Sequence, residues 1–418
     1  MAVYFSYFSY CILMQSAYYR SRLLFIVLVV VIDTAGFGLI FPVLPQLLRE
    51  LLHADISTAA RYGGWLAFAY AAMQFIFAPV LGGLSDRYGR RPVLLSSLLG
   101  FSVDCLFLAF APNVTWLFAG RAIAGITGAS YAVASACVAD ISTDENRTRH
   151  YGLINAAFGL GFIIGPVIGG TLGRWGTHTP FMVAAALSFL NFLLGYYFFP
   201  ESLPLAHRRA FDWKRANPLG ALQHLVRFPL VKSLIFSMML VSFATHSMES
   251  VWAFFTIEKF KWSNLLVGYS LAFVGVLSII SQTWLVGVLT KRLSDRQMAV
   301  TGLLCMITGF LLFAFAGWQW ILLPALVIYI AGSIQGTAMQ SIVAGAMPDN
   351  EQGELQGGLG SLMGLTTLLA PPLLTSSFAW ATARTSPVYF PGMPYLIAGI
   401  LTFFSLLLLL RGFRKTAR

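Results

Sequence analysis

Apolar runs of about 20 residues recur along nearly the whole 418-residue chain and constrain its fold more than any other feature. As a helix, such a run rises about 30 Å, which is the thickness of the hydrocarbon core of a bilayer. Only 10% of the residues are charged, against roughly a quarter in a soluble domain. Because helices satisfy their own backbone polar groups inside lipid, the sequence predicts an all-α integral membrane protein.

We expect about twelve membrane-spanning helices in two groups of six. The predicted helices lie near residues 23–48, 63–85, 92–111, 115–139, 151–173, 180–199, 232–257, 264–290, 297–317, 320–346, 356–380 and 395–411. One long polar stretch separates the groups. The predicted parts are therefore an N-terminal preamble (1–22), a first six-helix bundle (23–199), a central linker (200–231), a second six-helix bundle (232–411) and a tail (412–418).

The two halves repeat each other at an offset of 205 residues. This offset places Gly152 on Gly357, Gly159 on Gly364 and Pro166 on Pro371. It also lays residues 82–87 on residues 287–292. Parallel half-length repeats of six helices are typical of duplicated membrane transporters, so the repeat indicates a transporter.

The basic residues predict the orientation. Of the 27 Lys and Arg residues, 20 fall in the segments on the side of the N-terminus, six fall on the opposite side, and Arg121 lies within a helix. Under the positive-inside rule this places both termini in the cytoplasm. The net charge of +11 is scattered in short clusters between apolar runs. It therefore reflects loop topology, and we expect no nucleic acid partner.

Ionisable side chains within membrane-spanning helices are costly and usually functional. Five residues qualify here: Asp33, Asp104, Arg121, His246 and Glu249. A desolvated carboxylate at Asp33 would bind and release a proton during a transport cycle. The alternative for Asp33 is a hydrogen bond between helices.

The other ionisable groups need partners. Arg121 would pair with Asp33 or Asp104, and the alternative to a functional role is a fixed ion pair that holds helices together. His246 and Glu249 are three residues apart and share a helix face. They would relay protons or bind a cationic group, unless this stretch lies nearer the membrane surface.

Uncharged polar residues within the apolar runs indicate a mostly apolar cavity with a few hydrogen-bonding groups. The candidates are Gln74, Asn155, Gln282, Gln335 and Gln340. For each of them, simple packing is the alternative to substrate contact.

A stripe of small residues lies in GLGFIIGPVIGG, where Gly161, Gly165 and Gly169 are spaced four apart. Such a stripe allows a neighbouring backbone to approach closely. We expect Pro166 to interrupt the helix and the segment to act as a packing hinge.

Catalytic and cofactor motifs were sought without success. The sequence contains no GxxxxGK[ST] phosphate loop, no HExxH, no GxSxG and no paired-cysteine site. We therefore expect no enzymatic activity, no cofactor and no metal, and transport energy would come from an ion gradient.

Several motifs together resemble those of the major facilitator superfamily, and within it the twelve-helix drug–proton antiporters of the tetracycline-efflux type. GGLSDRYGRRPVLL is similar to the family's loop signature between helices two and three, and GRAIAGITGA to its helix-four arginine motif. GLGFIIGPVIGG resembles the antiporter motif of helix five, and VIDTAGFGLIFPVLP the acidic motif of the first helix. The resemblance covers nearly the whole chain from Arg22 onward.

The resemblance implies roles for the matched positions. Asp86 would cap a helix in the opposite half while Arg90 pairs with acids such as Asp140, which latches the outward-open state. The latch would comprise Gly82, Asp86, Arg87, Gly89, Arg90, Arg91 and Asp140. Asp33, Gln74, Asp104 and Arg121 would belong to the substrate and proton pathway.

The second half departs from the pattern of tetracycline exporters. Those proteins carry a histidine in helix eight and an aspartate in helix nine, and these positions fall near Ser278 and Met306 in this chain. It offers His246 and Glu249 instead, and we add these two with Gln282 and Gln335 to the expected pathway.

The sequence as a whole predicts a proton-coupled antiporter that exports a bulky amphipathic small molecule by alternating access. We expect a monomer in the bacterial inner membrane, whose partners are its substrate, protons and lipid. One alternative is a carrier, exporter or importer, for a metabolite or siderophore-like compound. A second alternative is a membrane receptor or assembly factor that transports nothing.

Overall fold

A computed structural model describes residues 23–143, 145–211, 229–345 and 352–416. Twelve segments in these ranges are helical, long and apolar enough to cross a membrane, which confirms the predicted all-α fold of twelve spans. The predicted preamble 1–22, residues 212–228 of the predicted linker, and the last two residues of the tail lie outside the described residues.

We number the membrane-spanning segments from 1 to 12. Spans 1 to 6 are Leu23–Ile40, Ile56–Tyr88, Arg90–Phe110, Val114–Ile141, Arg147–Leu172 and Thr179–Phe198. Spans 7 to 12 are Pro229–Phe260, Asn264–Leu289, Asp295–Phe315, Gln319–Gly345, Gln352–Thr382 and Met393–Thr416.

The helix boundaries repeat with the same offset as the sequence. Spans 3, 4 and 5 begin at residues 90, 114 and 147. Spans 9, 10 and 11 begin at residues 295, 319 and 352, each 205 residues later. The two halves therefore share one topology of six spans.

Prolines act differently in spans 1 and 5. Span 1 ends at Ile40, and a turn that contains Pro42 leads into a short helix, Leu44–Leu52, with Pro45 in its first turn. Proline is tolerated there because the first N–H groups of a helix need no partner within it. Pro166, by contrast, lies inside the continuous helix Arg147–Leu172, so the prediction that it interrupts span 5 is wrong. Membrane helices tolerate an internal proline where packed neighbours compensate for the lost backbone bond.

Span 2 begins at a capping carboxylate. Asp55 accepts hydrogen bonds from the backbone N–H of Thr58 at 3.0 Å and from the Ser57 hydroxyl at 2.9 Å. The bond from Thr58 is the main reason that the pKa of the Asp55 carboxyl lies below its ordinary value.

The two ends of the bundle differ in how closely the halves approach. We call the end with residues 82–91 and 199–211 the linker end, and the end with residues 41–56 and 173–179 the distal end. At the distal end, a Cβ atom on Gly170 would lie 3.0 Å from Leu265 Cα, and Asn264 Nδ2 donates to Gln46 Oε1 at 2.8 Å. At the linker end, nothing lies within 4 Å of a Cβ atom built on Gly152 or on Gly360. The halves therefore contact each other directly at the distal end and are less tightly packed around these two glycines at the linker end.

Candidate functional site

A cavity of about 680 Å³ lies between the two halves. Spans 1 and 5 of the first half and spans 7, 8 and 10 of the second half form its wall. Five aromatic side chains line it: Phe37, Phe41, Phe158, Phe162 and Tyr329. Its size and its apolar, aromatic lining suit a drug-sized organic molecule.

Four phenylalanines from spans 1 and 5 form a continuous surface on the first-half side of the cavity. The ring centroids of Phe37 and Phe41 are 5.3 Å apart, those of Phe41 and Phe162 are 5.9 Å apart, and those of Phe158 and Phe162 are 6.2 Å apart. We call these four residues the aromatic wall. Such a wall offers both apolar area and ring faces.

Polar side chains are few in the cavity lining. Asn155, Thr245, Glu249, Ser278 and Gln282 are among them. Gln335 does not line the cavity. It is buried, and its backbone N would lie 2.7 Å from a Cβ atom on Gly302.

Asp33 lies one turn before Phe37 on span 1 and accepts a hydrogen bond from the Ser130 hydroxyl at 2.5 Å. Ser130 opens the second helix of span 4, Ser130–Ile141, directly after the break at Gly128 and Ala129. The carboxylate therefore joins span 1 to the break in span 4, beside the cavity wall.

Arg121 pairs with Asp104 and not with Asp33. Its Nε donates to Asp104 Oδ1 at 3.1 Å, and a second guanidinium nitrogen donates to Asp104 Oδ2. Asp104 is fully buried and Arg121 is 8% exposed. Only glycine fits at position 120, because a Cβ atom there would lie 2.8 Å from Asp104 Oδ1. The pair is therefore a bidentate ion pair enclosed between spans 3 and 4.

Gln74 and Tyr70 lie between Asp33 and the Arg121–Asp104 pair. Gln74 Nε2 donates to the carbonyl of Gly128 at 2.9 Å and to the Tyr70 hydroxyl at 3.2 Å. The Tyr70 ring lies 5.7 Å from the Arg121 guanidinium. We call this set the polar chain: Asp33, Ser130, Gln74, Tyr70, Arg121 and Asp104. Our sequence reasoning missed Ser130 and Tyr70, although Tyr70 is four residues before Gln74 and so shares its helix face.

In the second half, His246 lies between two partners. Its Nδ1 is 3.1 Å from Glu249 Oε2, and its Nε2 is 3.2 Å from the Thr367 hydroxyl of span 11. The Glu249 side chain is 58% exposed and lines the cavity, whereas His246 is 14% exposed. Sequence spacing indicated the shared face but gave no sign of Thr367.

The expected latch residues cluster at the linker end. Arg90 contacts Asp86 at 2.5 Å and Asp140 at 3.1 Å. Glu201 accepts the backbone N–H groups of Arg90 at 2.8 Å and Arg91 at 3.3 Å. All of these groups belong to the first half or to the segment that follows it. A contact of Asp86 with the second half remains a prediction.

The remaining latch positions have local roles. Gly89 has a φ angle of +106°, a backbone conformation that residues other than glycine rarely adopt. Arg87 lies 5.1 Å from the Tyr88 ring, and Arg91 donates to the Tyr196 carbonyl. Gly82 has no neighbour within 4 Å of a Cβ atom built on it.

The glycine stripe of span 5 packs inside the first half. Cβ atoms on Gly165 and Gly169 would each lie 3.0 Å from a Cα atom of span 1, and one on Gly161 would lie 2.7 Å from the Val31 carbonyl oxygen. Pro166 and Gly170, on another face of the helix, meet Gly268 of span 8. Pro166 and Gly170 therefore contribute to the contact between spans 5 and 8.

Comparison with known proteins places the whole chain among transporters. Residues 26–338 match the sequence model of the Major Facilitator Superfamily. The chain is 40% identical over 393 residues to tetracycline resistance protein class C of Escherichia coli, covering 94% of this chain and 97% of that protein. It is 37% identical to the class H protein of Pasteurella multocida, with coverages of 95% and 98%.

Among solved structures, the fold is similar to a bacterial homolog of the human lysosomal transporter Spinster in an inward-facing and occupied conformation. The TM-score is 0.77 at 16% sequence identity, and the match covers 95% of this chain and 97% of the other.

Proposed function

The chain belongs to the major facilitator superfamily, and from this premise we propose that it is a proton-coupled antiporter that exports a bulky amphipathic molecule such as a tetracycline-like drug. The observation that carries the proposal is the position of Asp33. Asp33 lies one helical turn from Phe37 of the aromatic wall, and its carboxylate accepts a hydrogen bond from Ser130 of span 4. A proton and a substrate can thus act on adjacent parts of span 1.

The polar chain supplies the coupling in this proposal. Protonation of Asp33 would remove the charge that the Ser130 hydroxyl stabilises and weaken the link between span 1 and the break in span 4. Because Gln74 bonds to that same break, the change reaches Tyr70 and the Arg121–Asp104 pair. Proton binding and helix arrangement are linked through these contacts.

The charge distribution supports the orientation that export requires. The linker end carries the arginine cluster, which places it in the cytoplasm under the positive-inside rule. The less tightly packed end then faces the cytoplasm, where an exporter takes up its substrate. We place the protein in the bacterial inner membrane as a monomer, because one chain supplies every wall of the cavity. The arginine cluster would engage the second half when the protein opens outward.

The test uses inside-out vesicles that contain the wild-type protein, an energised membrane and a pH-sensitive dye. Tetracyclines, other amphipathic drugs and iron chelates are added one at a time. We expect release of protons from the vesicles when a tetracycline or another amphipathic drug is added. Proton release with iron chelates alone would favour the siderophore-like carrier.

Alternating access predicts that Gly170→Val blocks transport. A Cβ atom at position 170 would lie 2.5 Å from the Asn264 carbonyl oxygen, so a branched side chain would keep spans 5 and 8 apart at the distal end. We expect export in the vesicle assay to fall by about tenfold or more, because the closed arrangement is lost. The matched control is Gly317→Val, between spans 9 and 10 and outside the cavity lining, where nothing lies within 4 Å of an added Cβ atom. Equal losses in both variants would contradict this explanation.

A further inference from the structure

The cavity contains a single formal charge in its described lining. Glu249 is the one lining residue that carries a carboxylate, and no Lys, Arg or His lines the cavity in the part of the chain that the structure describes. The Glu249 side chain is 58% exposed although it belongs to a membrane-spanning helix. A carboxylate that is exposed in a mostly apolar cavity within a membrane-spanning helix attracts cationic ligands.

His246 and Thr367 fix the position of this carboxylate. The imidazole contacts Glu249 Oε2 through Nδ1 and the Thr367 hydroxyl through Nε2. Thr367 also donates to the Met363 carbonyl at 2.9 Å, so span 11 anchors the ring. Only one Glu249 oxygen is engaged by His246. The carboxylate therefore retains capacity for a ligand in the cavity.

The opposite side of the cavity favours positive charge as well. The faces of the aromatic wall, Phe37, Phe41, Phe158 and Phe162, carry the negative part of the ring quadrupole and attract cations. Asn155 and Gln282 add neutral hydrogen-bonding groups. A carboxylate on one wall and a cluster of aromatic rings on the other fit one chemical class, a lipophilic molecule with a single positive charge.

We propose that this cavity selects lipophilic monovalent cations, with Glu249 as the specificity-determining countercharge and His246 as its positioning residue. The proposal rests on the proposed function for the identity of the cavity as the substrate site. The second half then recognises the cation, and the polar chain of the first half couples transport to protons. A neutral amphiphile of the same shape would use the aromatic wall without Glu249.

The test compares two probes of similar shape on the full-length protein in lipid nanodiscs. Tetraphenylphosphonium carries a permanent positive charge, and triphenylphosphine oxide is neutral. Equilibrium dialysis gives a Kd for each probe. We expect wild-type protein to bind the cation at least about tenfold more tightly than the neutral probe, because an ion pair in a partly desolvated site contributes at least that much.

The key variant is Glu249→Gln, which keeps the size of the side chain and removes its charge. We expect the Kd for the cation to rise about tenfold or more and the Kd for the neutral probe to change less than about twofold. Glu249→Asp should restore most of the preference. The control is Glu258→Gln, on the same helix at the distal end, where the carboxylate pairs with Lys261 and Tyr389 away from the cavity.

His246→Ala tests positioning through the ratio of the two affinities. We expect the preference for the cation to fall while binding of the neutral probe persists, which a loss of folding would not produce. An unchanged preference in Glu249→Gln, or wild-type protein without any preference, would overturn the proposal. The proposed antiport fails separately if wild-type vesicles release no protons on addition of substrate. In that case, cation binding can still depend on Glu249.

Discussion

Replacing Asp33 with asparagine is expected to abolish substrate-driven proton release from energised inside-out vesicles. Asparagine has nearly the same shape, and its side-chain oxygen can still accept the hydrogen bond from Ser130. Its amide cannot take up a proton, so the variant should fold and lose coupling. We expect the rate of proton release to fall at least about a hundredfold, to the level of vesicles without the protein.

Two comparisons separate coupling from folding in this experiment. Asp55→Asn is the matched control, because Asp55 caps span 2 at the distal end and asparagine caps a helix equally well. Exchange of labelled for unlabelled substrate needs no net proton movement, so it should survive in Asp33→Asn. Normal proton release in the variant would show that Asp33 serves only as an interhelical hydrogen-bond acceptor.

Replacing Asp104 with alanine is expected to lower the free energy of unfolding by about 3–5 kcal/mol, because the buried Arg121 guanidinium loses its countercharge. Both charges are enclosed, and the Tyr70 ring near Arg121 is a much weaker attractive group than a carboxylate. Unfolding by titration with sodium dodecyl sulfate in mixed micelles measures the change. A loss below about 1 kcal/mol would contradict a desolvated pair.

A paired replacement decides whether the ion pair is only structural. Asp104→Leu combined with Arg121→Met removes both charges at once and should recover most of the lost stability. If this stable variant does not transport substrate, the pair belongs to the coupling pathway. If it transports substrate normally, the pair only holds spans 3 and 4 together. Glu258→Gln is again the control, since its partner Lys261 is 76% exposed and such pairs contribute at most about 1 kcal/mol.

Parts of the candidate site followed from chemistry that is visible in the sequence. Asp33, Asp104 and Arg121 were identified because charge within a long apolar run is costly without a partner. The choice of partner was not predictable, since both acids were available to Arg121. Ser130 and Thr367 were missed because hydroxyl side chains in membrane helices usually bond to their own backbone, and only an adjacent helix reveals another role.

The twelve spans, their repeat and the family are predictable from the sequence alone, because each depends on local properties of the chain. A helix in lipid satisfies its backbone groups within its own length, so hydropathy along the chain is sufficient to locate it. The close agreement of predicted and observed spans, such as 264–290 with Asn264–Leu289, follows from this.

The side of each helix that faces the cavity becomes visible only in the folded protein. Lipid and the protein interior are both apolar, so hydropathy does not distinguish them, and the rotation of a helix is set by packing with its neighbours. That rotation turns Gly161, Gly165 and Gly169 toward span 1 and presents Pro166 and Gly170 to span 8. It also brings Glu249 into the cavity opposite the aromatic wall, an arrangement between distant parts of the chain that spacing along one helix does not encode.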